Sequence, residues 1–404
     1  MQDWYGCIVR ILTGTGFPSP PNRTPSCPKQ SVHSPNHQSG RKKNVRVGVP
    51  GPGCRRPTFP GGPSGCGSLG YLFASRLAKG DDEESQRALV AISPAGDRLL
   101  TGGHFAPLTV WDLSTGTSIW TDPHTEYTGF SDLAWSPDGC RILAGLTNES
   151  AVTMRDAATG ALIRTCATIG HCSYLAWAPD DSAWAAWSSH SPPGLRVWDA
   201  DGEAVCWEAA WVTELGADGA LAWSPDGRHP VLGDRGGILH FFDALTGTPG
   251  SHRPVSDTPS RIWHVSWSPG DDRMGVLSAG SALTVLDGTA ERPARRIEVG
   301  ERAGCTACWS PDRRHIAVGL SGAAAGVALY AVGTGREVHR FSIPSGSWRE
   351  STADLAWAPN GAFLVSGHRD GIVRGWDARF LYADPPFAPS REATTGPSRF
   401  PEPA

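Results

Sequence analysis

Few side chains in this 404-residue sequence are spaced for chemistry. The one C-x-x-C is Cys305-Thr-Ala-Cys308, a spacing that ligates zinc when a turn brings both sulfurs to one point. Its setting, GCTACW, reads as a strand. Residues three apart in a strand face opposite sides, so the two sulfurs are expected to diverge and act as structural thiols. GCGSLG at 65–70 has the G-x-G-x-x-G spacing of a dinucleotide loop. Such a loop needs a strand before it and a helix after it; TFPGGPS is no strand, and a glycine-rich linker is the expected role. DADG at 199–202 begins like a calcium loop but lacks the spaced acids and the terminal Glu. No H-E-x-x-H, Walker lysine or G-x-S-x-G occurs. The pattern offers no catalytic residue, no cofactor-binding residue and no metal site, so the chain is expected to be no enzyme and to carry no cofactor.

The elements that would position any site belong to a repeat. LAWSPDGCRILAG at 133–145 returns as LAWSPDGRHPVLG from Leu221 and as LAWAPNGAFLVSG from Leu355. One anchor marks each unit: Ile92, Trp135, Trp177, Trp223, Trp267, Trp309 and Trp357, spaced by 42 to 48 residues. A second marker follows 20 to 22 residues after the anchor and includes Trp111-Asp112, Asp156, Trp198-Asp199, Asp243, Asp287 and Trp376-Asp377. Inside a unit, an apolar run such as DLAW leads into S-P-D-G. There Pro fixes φ, Asp tolerates the turn and Gly accepts positive φ. A second run such as RILAGL, a polar loop, a run ending in W-D and an A-T-G or S-T-G turn into a fourth run complete the unit. Four short antiparallel strands per ~44 residues make one propeller blade. Residues 87–384 are therefore expected to form an all-β, seven-bladed propeller of four-stranded antiparallel blades.

The ends differ in composition. Residues 1–65 hold eleven prolines, nine Lys or Arg and a single acid, Asp3. With so little apolar surface to bury, this segment is expected to be a disordered basic tail. Residues 66–86 read as a linker with a possible closing strand, and 385–404 as a disordered C-terminal tail. The chain beyond residue 65 has 27 basic and 39 acidic residues, which disfavours nucleic acid binding through the propeller. No apolar stretch approaches the ~18 residues of a membrane span. The N-terminus, MQDWYGCIVRILTG, is a poor secretory signal, and the ten cysteines lack framework spacing. Reduced thiols and a cytoplasmic location are expected.

The W-D pairs at 111–112, 198–199 and 376–377, with S-P-D-G at 136–139 and 224–227, resemble the WD-repeat β-propeller family across residues 87–383. The resemblance implies seven blades around a central channel, closed where a segment from one chain end completes a blade begun by the other. GYLFASR at 70–76 and RFLYAD at 379–384 compete for that role, and the N-terminal segment is favoured. The resemblance also implies a His–Ser/Thr–Trp–Asp hydrogen-bond network, of which this sequence keeps little. Gly170-His171 is the one clear Gly-His pair before a first strand, Asp234 and Asp370 are the plausible loop acids, and Ala331 replaces the acid in blade six. Blade stability is thus expected to rest on packing. Six anchors and three W-D positions account for nine of the 17 tryptophans. The degenerate repeats, poor in Lys and rich in Arg, Ala and Gly, fit a bacterial type.

Specificity is expected where the seven copies disagree. The connections at 121–130, 208–219, 251–263 and 342–352 should open on one face and carry Tyr127, Phe130, Trp211, Arg261, Trp263, Trp348 and Arg349. Aromatics and Arg on exposed loops are binding anchors, and the competing role for Trp263 and Trp348 is packing between blades. His104, His190 and His368 follow second strands and could gather there with His171. The expected function is a monomeric, non-enzymatic scaffold that binds protein or peptide partners. The alternatives are a ligand-sensing module of a signalling system and a propeller hydrolase or lyase.

Overall fold

Every repeat becomes a four-stranded antiparallel sheet in the computed structural model. It describes residues 71–76 and 87–382 apart from breaks at 105, 123–128, 148, 189–192, 211–219, 271–272, 280–281, 288–292, 301–302, 323–324 and 344–349. The expected tails at 1–65 and 385–404 and the GCGSLG stretch lie outside the described residues. Blade one runs Ala88–Ile92, Arg98–Gly103, Ala106–Asp112 and Ser118–Thr121, adjacent in that order. The first strand of each blade is the inner one. Ala88–Ile92, Phe130–Trp135, Cys172–Trp177, Ala220–Trp223, Ile262–Trp267, Ala303–Trp309 and Thr352–Trp357 meet their neighbours in a closed ring around the channel.

The seventh blade takes Thr352–Trp357, Phe363–His368 and Ile372–Asp377 from one end of the described chain and Tyr71–Arg76 from the other. Tyr71–Arg76 runs antiparallel to Ile372–Asp377, with Ala74 opposite Arg374. Of the two segments that compete for closure, this one pairs; Arg379–Leu381 in the other forms a short 3-10 helix.

The repeated residues act through local hydrogen bonds. In S-P-D-G, the Ser136 hydroxyl accepts from Arg141 N at 2.9 Å, and Asp138 Oδ1 accepts from Cys140 N at 2.8 Å. Gly139 takes φ 72°, a value open to Gly at little cost. At the W-D turn, Asp112, Asp156 and Asp243 each accept backbone N–H bonds from the residues two and three ahead. Asp199 accepts instead from residues four and five ahead, Glu203 N and Ala204 N, and DADG still turns the chain between the third and fourth strands of its blade. Blade six keeps its turn without the acid, through Gly335 N donating to Ala331 O at 2.7 Å.

The core lies between blades. The buried apolar side chains fall into seven clusters, each drawn from two neighbouring blades, including the seventh and the first. The anchors sit in these seams: Trp135 Nε1 donates to Ala91 O of the preceding blade, and Trp309 Nε1 to Ser266 O, both at 3.1 Å. Packing thus carries the disc, but the hydrogen-bond network is less depleted than the sequence suggests. Trp111 Nε1 donates to Thr101 Oγ1 at 2.8 Å. In blade seven, Trp376 Nε1 donates to Ser366 Oγ at 2.8 Å, and Ser366 Oγ meets His368 Nε2 at 2.7 Å. The histidine comes from the end of the second strand, where the repeat pattern does not look for it. Cys166, Cys172, Cys206, Cys305 and Cys308 are free, whereas Cys140 is disulfide-bonded, a departure from the expected reduced thiols.

Candidate functional site

Four antiparallel strands per blade place the S-P-D-G and W-D turns on one face and the remaining connections on the other. Each inner strand starts at the second face. Three residues before the anchor stand Asp132, Tyr174, His264 and Asp354, in blades two, three, five and seven, all half-buried on the channel side. A bulge precedes each of them, with register shifts between Phe130 and Asp132, Cys172 and Tyr174, Ile262 and His264, and Thr352 and Asp354. The extra residue re-aims the strand. The polar position and the small residue two further on then line the channel, and the Leu or Val between them is buried.

These channel groups are coupled. Asp132 Oδ2 accepts from Leu175 N of the next blade at 2.7 Å, and Oδ1 from Leu133 N at 2.9 Å. Asp354 Oδ2 accepts from Val90 N at 2.9 Å, and Oδ1 from Leu355 N at 2.8 Å. Burial, reinforced by Asp354, raises the Asp132 carboxyl to about 7; burial raises Asp354 to about 6. Burial lowers His264 to about 4. Arg87, just before the first inner strand, lies within electrostatic range of Cys305, Tyr174, Asp354 and Asp132, which come from four other blades. Its charge is therefore felt by groups on four other blades, and its buried Nε has no hydrogen-bond partner among the described residues. Arg261 lies over the Trp263 ring, 3.9 Å from its centroid, and its charge acts on Tyr174.

The loop residues expected to bind a partner divide. Arg261 and Trp263 stand half-buried at the channel mouth. Phe130 is 3% exposed and packs with Leu108 and Leu133 in the seam between blades one and two, so its role is corrected to core packing. Tyr127, Trp211, Trp348 and Arg349 lie outside the described residues. The histidine gathering is not formed by His368, which is fully buried and bonded to Ser366 and to Glu350 O. His104 is half-buried, His171 is exposed, and His190 lies outside the described residues.

Cys305 and Cys308 are both half-buried, with Thr306 and Ala307 buried between them. The register shift between Ala303 and Ala307 breaks the alternation on which the expected divergence of the sulfurs rested. Among the described residues no three His, Cys, Asp or Glu side chains group to hold a metal. The linked groups Arg87, Asp132, Tyr174 and Asp354, with His264 at the equivalent strand position of blade five, are the part that loop reading misses. Its signal is a polar residue recurring at one phase of an otherwise apolar strand.

Two comparisons bear on this architecture. A family model, the WD domain, G-beta repeat, matches residues 345–377, the last repeat. A chain in the crystal structure of the mitotic checkpoint complex aligns with a TM-score of 0.62 and 15% identity, over 83% of this chain and 98% of that chain. At that identity the likeness is one of fold.

Proposed function

We propose that this WD-repeat β-propeller is a non-enzymatic scaffold that holds a protein or peptide segment across the channel mouth, on the face where Arg261 and Trp263 stand. The observation that carries this reading is that the charges of Arg87 and Arg261 both act on Tyr174 while Arg261 lies over the Trp263 ring. Two guanidinium groups and two aromatic rings supply the charged and flat surfaces that anchor partner segments. Tyr127, Trp211, Trp348 and Arg349, which lie outside the described residues, are part of the same proposal. Propellers of this repeat type are generally scaffolds, and the sequence contains no catalytic motif. The acidic balance of the propeller argues against nucleic acid as the partner. Among the described residues no helix is long and apolar enough to cross a membrane. We place the chain in the cytoplasm as a monomer.

The test is capture of binding partners with the full chain, compared with Arg261→Ala and Trp263→Ala. Arg228→Ala, in the exposed S-P-D-G turn of blade four on the opposite face, is the control. Loss of a partner with the first two and retention with the third supports the reading. Unchanged capture by variants that melt at the wild-type temperature overturns it. A small ligand held within the channel is the second reading, favoured by Asp132 and Asp354 titrating near neutral pH beside Arg87. Partner binding that survives Arg261→Ala but is lost in Arg87→Leu would favour it.

A further inference from the structure

The third and fourth strands of blade four, Ile238–Phe242 and Pro249–Pro254, place His240 directly opposite His252. The same cross-strand slot recurs around the disc with a constant separation of twelve residues. It holds Thr109 and Thr121, Thr153 and Thr165, Arg196 and Glu208, Thr284 and Arg296, and Ala328 and Arg340 in the other blades. Blade four alone among these fills the slot with two imidazoles. The ring centroids are 4.8 Å apart at 71°, and the two Nδ1 atoms are 2.8 Å apart.

Asp234, which is 3% exposed, sets the chemistry of the pair. Its Oδ2 lies 2.8 Å from His240 Nε2, and its Oδ1 accepts from Ile238 N at 2.8 Å. With Asp234 Oδ2 accepting from His240 Nε2–H, Nδ1 of His240 carries the lone pair, and His252 supplies the proton between the two Nδ1 atoms. A carboxylate on one imidazole nitrogen and a second imidazole facing the other is how proteins orient a metal-binding histidine.

We infer that His240 and His252 form a binding site for a divalent transition-metal ion on blade four, with Asp234 as the carboxylate that orients His240. On binding, His252 releases its Nδ1 proton to water and takes one up on Nε2, so the ring stays neutral, and the metal occupies the vacated position, bonded to both Nδ1 atoms. With metal–nitrogen bonds of about 2.0–2.1 Å in tetrahedral geometry, the nitrogens stand about 3.3 Å apart. The rings must separate by roughly half an ångström, which the exposed His252 can do by turning its side chain. No third His, Cys, Asp or Glu among the described residues joins the pair, so water completes the shell.

The test is equilibrium dialysis of the full chain against Zn²⁺ at pH 7.5, with wild type, His252→Ala and Asp234→Asn compared. His252 is exposed, so its replacement spares the fold. The expected result is one equivalent of Zn²⁺ fewer in His252→Ala, and binding at that site weakened about 10- to 100-fold in Asp234→Asn. Zinc held by cysteines elsewhere appears in all three and cancels. Cu²⁺ should give a two-nitrogen paramagnetic resonance pattern that His252→Ala removes, and affinity should fall as pH drops and protons compete for the imidazoles. Equal stoichiometry in wild type and His252→Ala overturns the proposal.

Discussion

Asp354 in the seventh blade accepts a hydrogen bond from the backbone N–H of Val90 in the first, 2.9 Å away and 264 positions apart in sequence. The bond crosses the seam where the ring of blades closes. Asp132 makes the same bond to Leu175 N across the seam between blades two and three. Asp354→Ala strips acceptors from Val90 N and Leu355 N, and a buried N–H left unsatisfied costs about 1–3 kcal/mol. At pH 5, where Asp354 is mostly protonated and loss of its charge matters little, the variant should lose about 2 kcal/mol in urea denaturation. Hydrogen exchange at Val90 should quicken. An unchanged exchange rate there would show that the side chain does not hold the seam.

The same carboxyls make stability depend on pH. Asp132 and Asp354 sit at about 7 and about 6, raised above the ordinary carboxyl value. The folded chain therefore holds more protons than the unfolded one between roughly pH 4 and 7. Their contribution to stability is complete below about pH 4 and is lost as pH rises through 6 and 7. His264 and His368, both lowered to about 4 chiefly by burial, act in the opposite sense. Their contribution is complete above about pH 6.5 and is lost as pH falls toward 4. The two sets partly cancel in wild type, so the difference between wild type and Asp132→Asn is the clean measure. The unfolding free energy of wild type minus that of the variant should decrease from pH 5 to pH 8. Parallel profiles would rule out titration of Asp132 in this range.

The disc is legible because its cause is local. S-P-D-G and W-D act through bonds to backbone groups within a few residues, so period and turn chemistry together define strands, blades and their number. The site is less legible because its causes are not local. Asp132, Tyr174, His264 and Asp354 reach the channel through bulges that no residue type announces. Arg87 matters through groups on four other blades. Phe130 has the composition of a loop anchor, but the first inner-strand position of its blade lies in a seam and buries it. His368 has the position of a loop histidine but completes a chain with Ser366 and Trp376.

That chain makes blade seven more sensitive to a hydroxyl than its neighbours. Ser366→Ala removes the acceptor of Trp376 Nε1 and the partner of His368 Nε2 in a fully buried position. A loss of about 2–3 kcal/mol is expected by denaturant unfolding, from two buried polar groups left unsatisfied. In blade one, Thr101→Ala takes one acceptor from Trp111 and should cost about 1 kcal/mol. Equal effects in the two blades would mean that His368 adds nothing to the chain.

Arg87 links the stability of the channel to its charge. It lowers the pKa of both Asp132 and Asp354, against the burial that raises them. Arg87→Leu keeps a side chain in the channel while removing the cation, so both carboxyls should rise further. The loss of stability with pH should then continue to higher pH than in wild type, at about 1.4 kcal/mol for each unit of further rise in either group. Urea denaturation from pH 5 to 9 measures this. A constant offset between the two profiles would identify Arg87 as a spacer. A divergence that grows above pH 6 would identify it as the counter-charge that lets two ionised carboxylates share one channel.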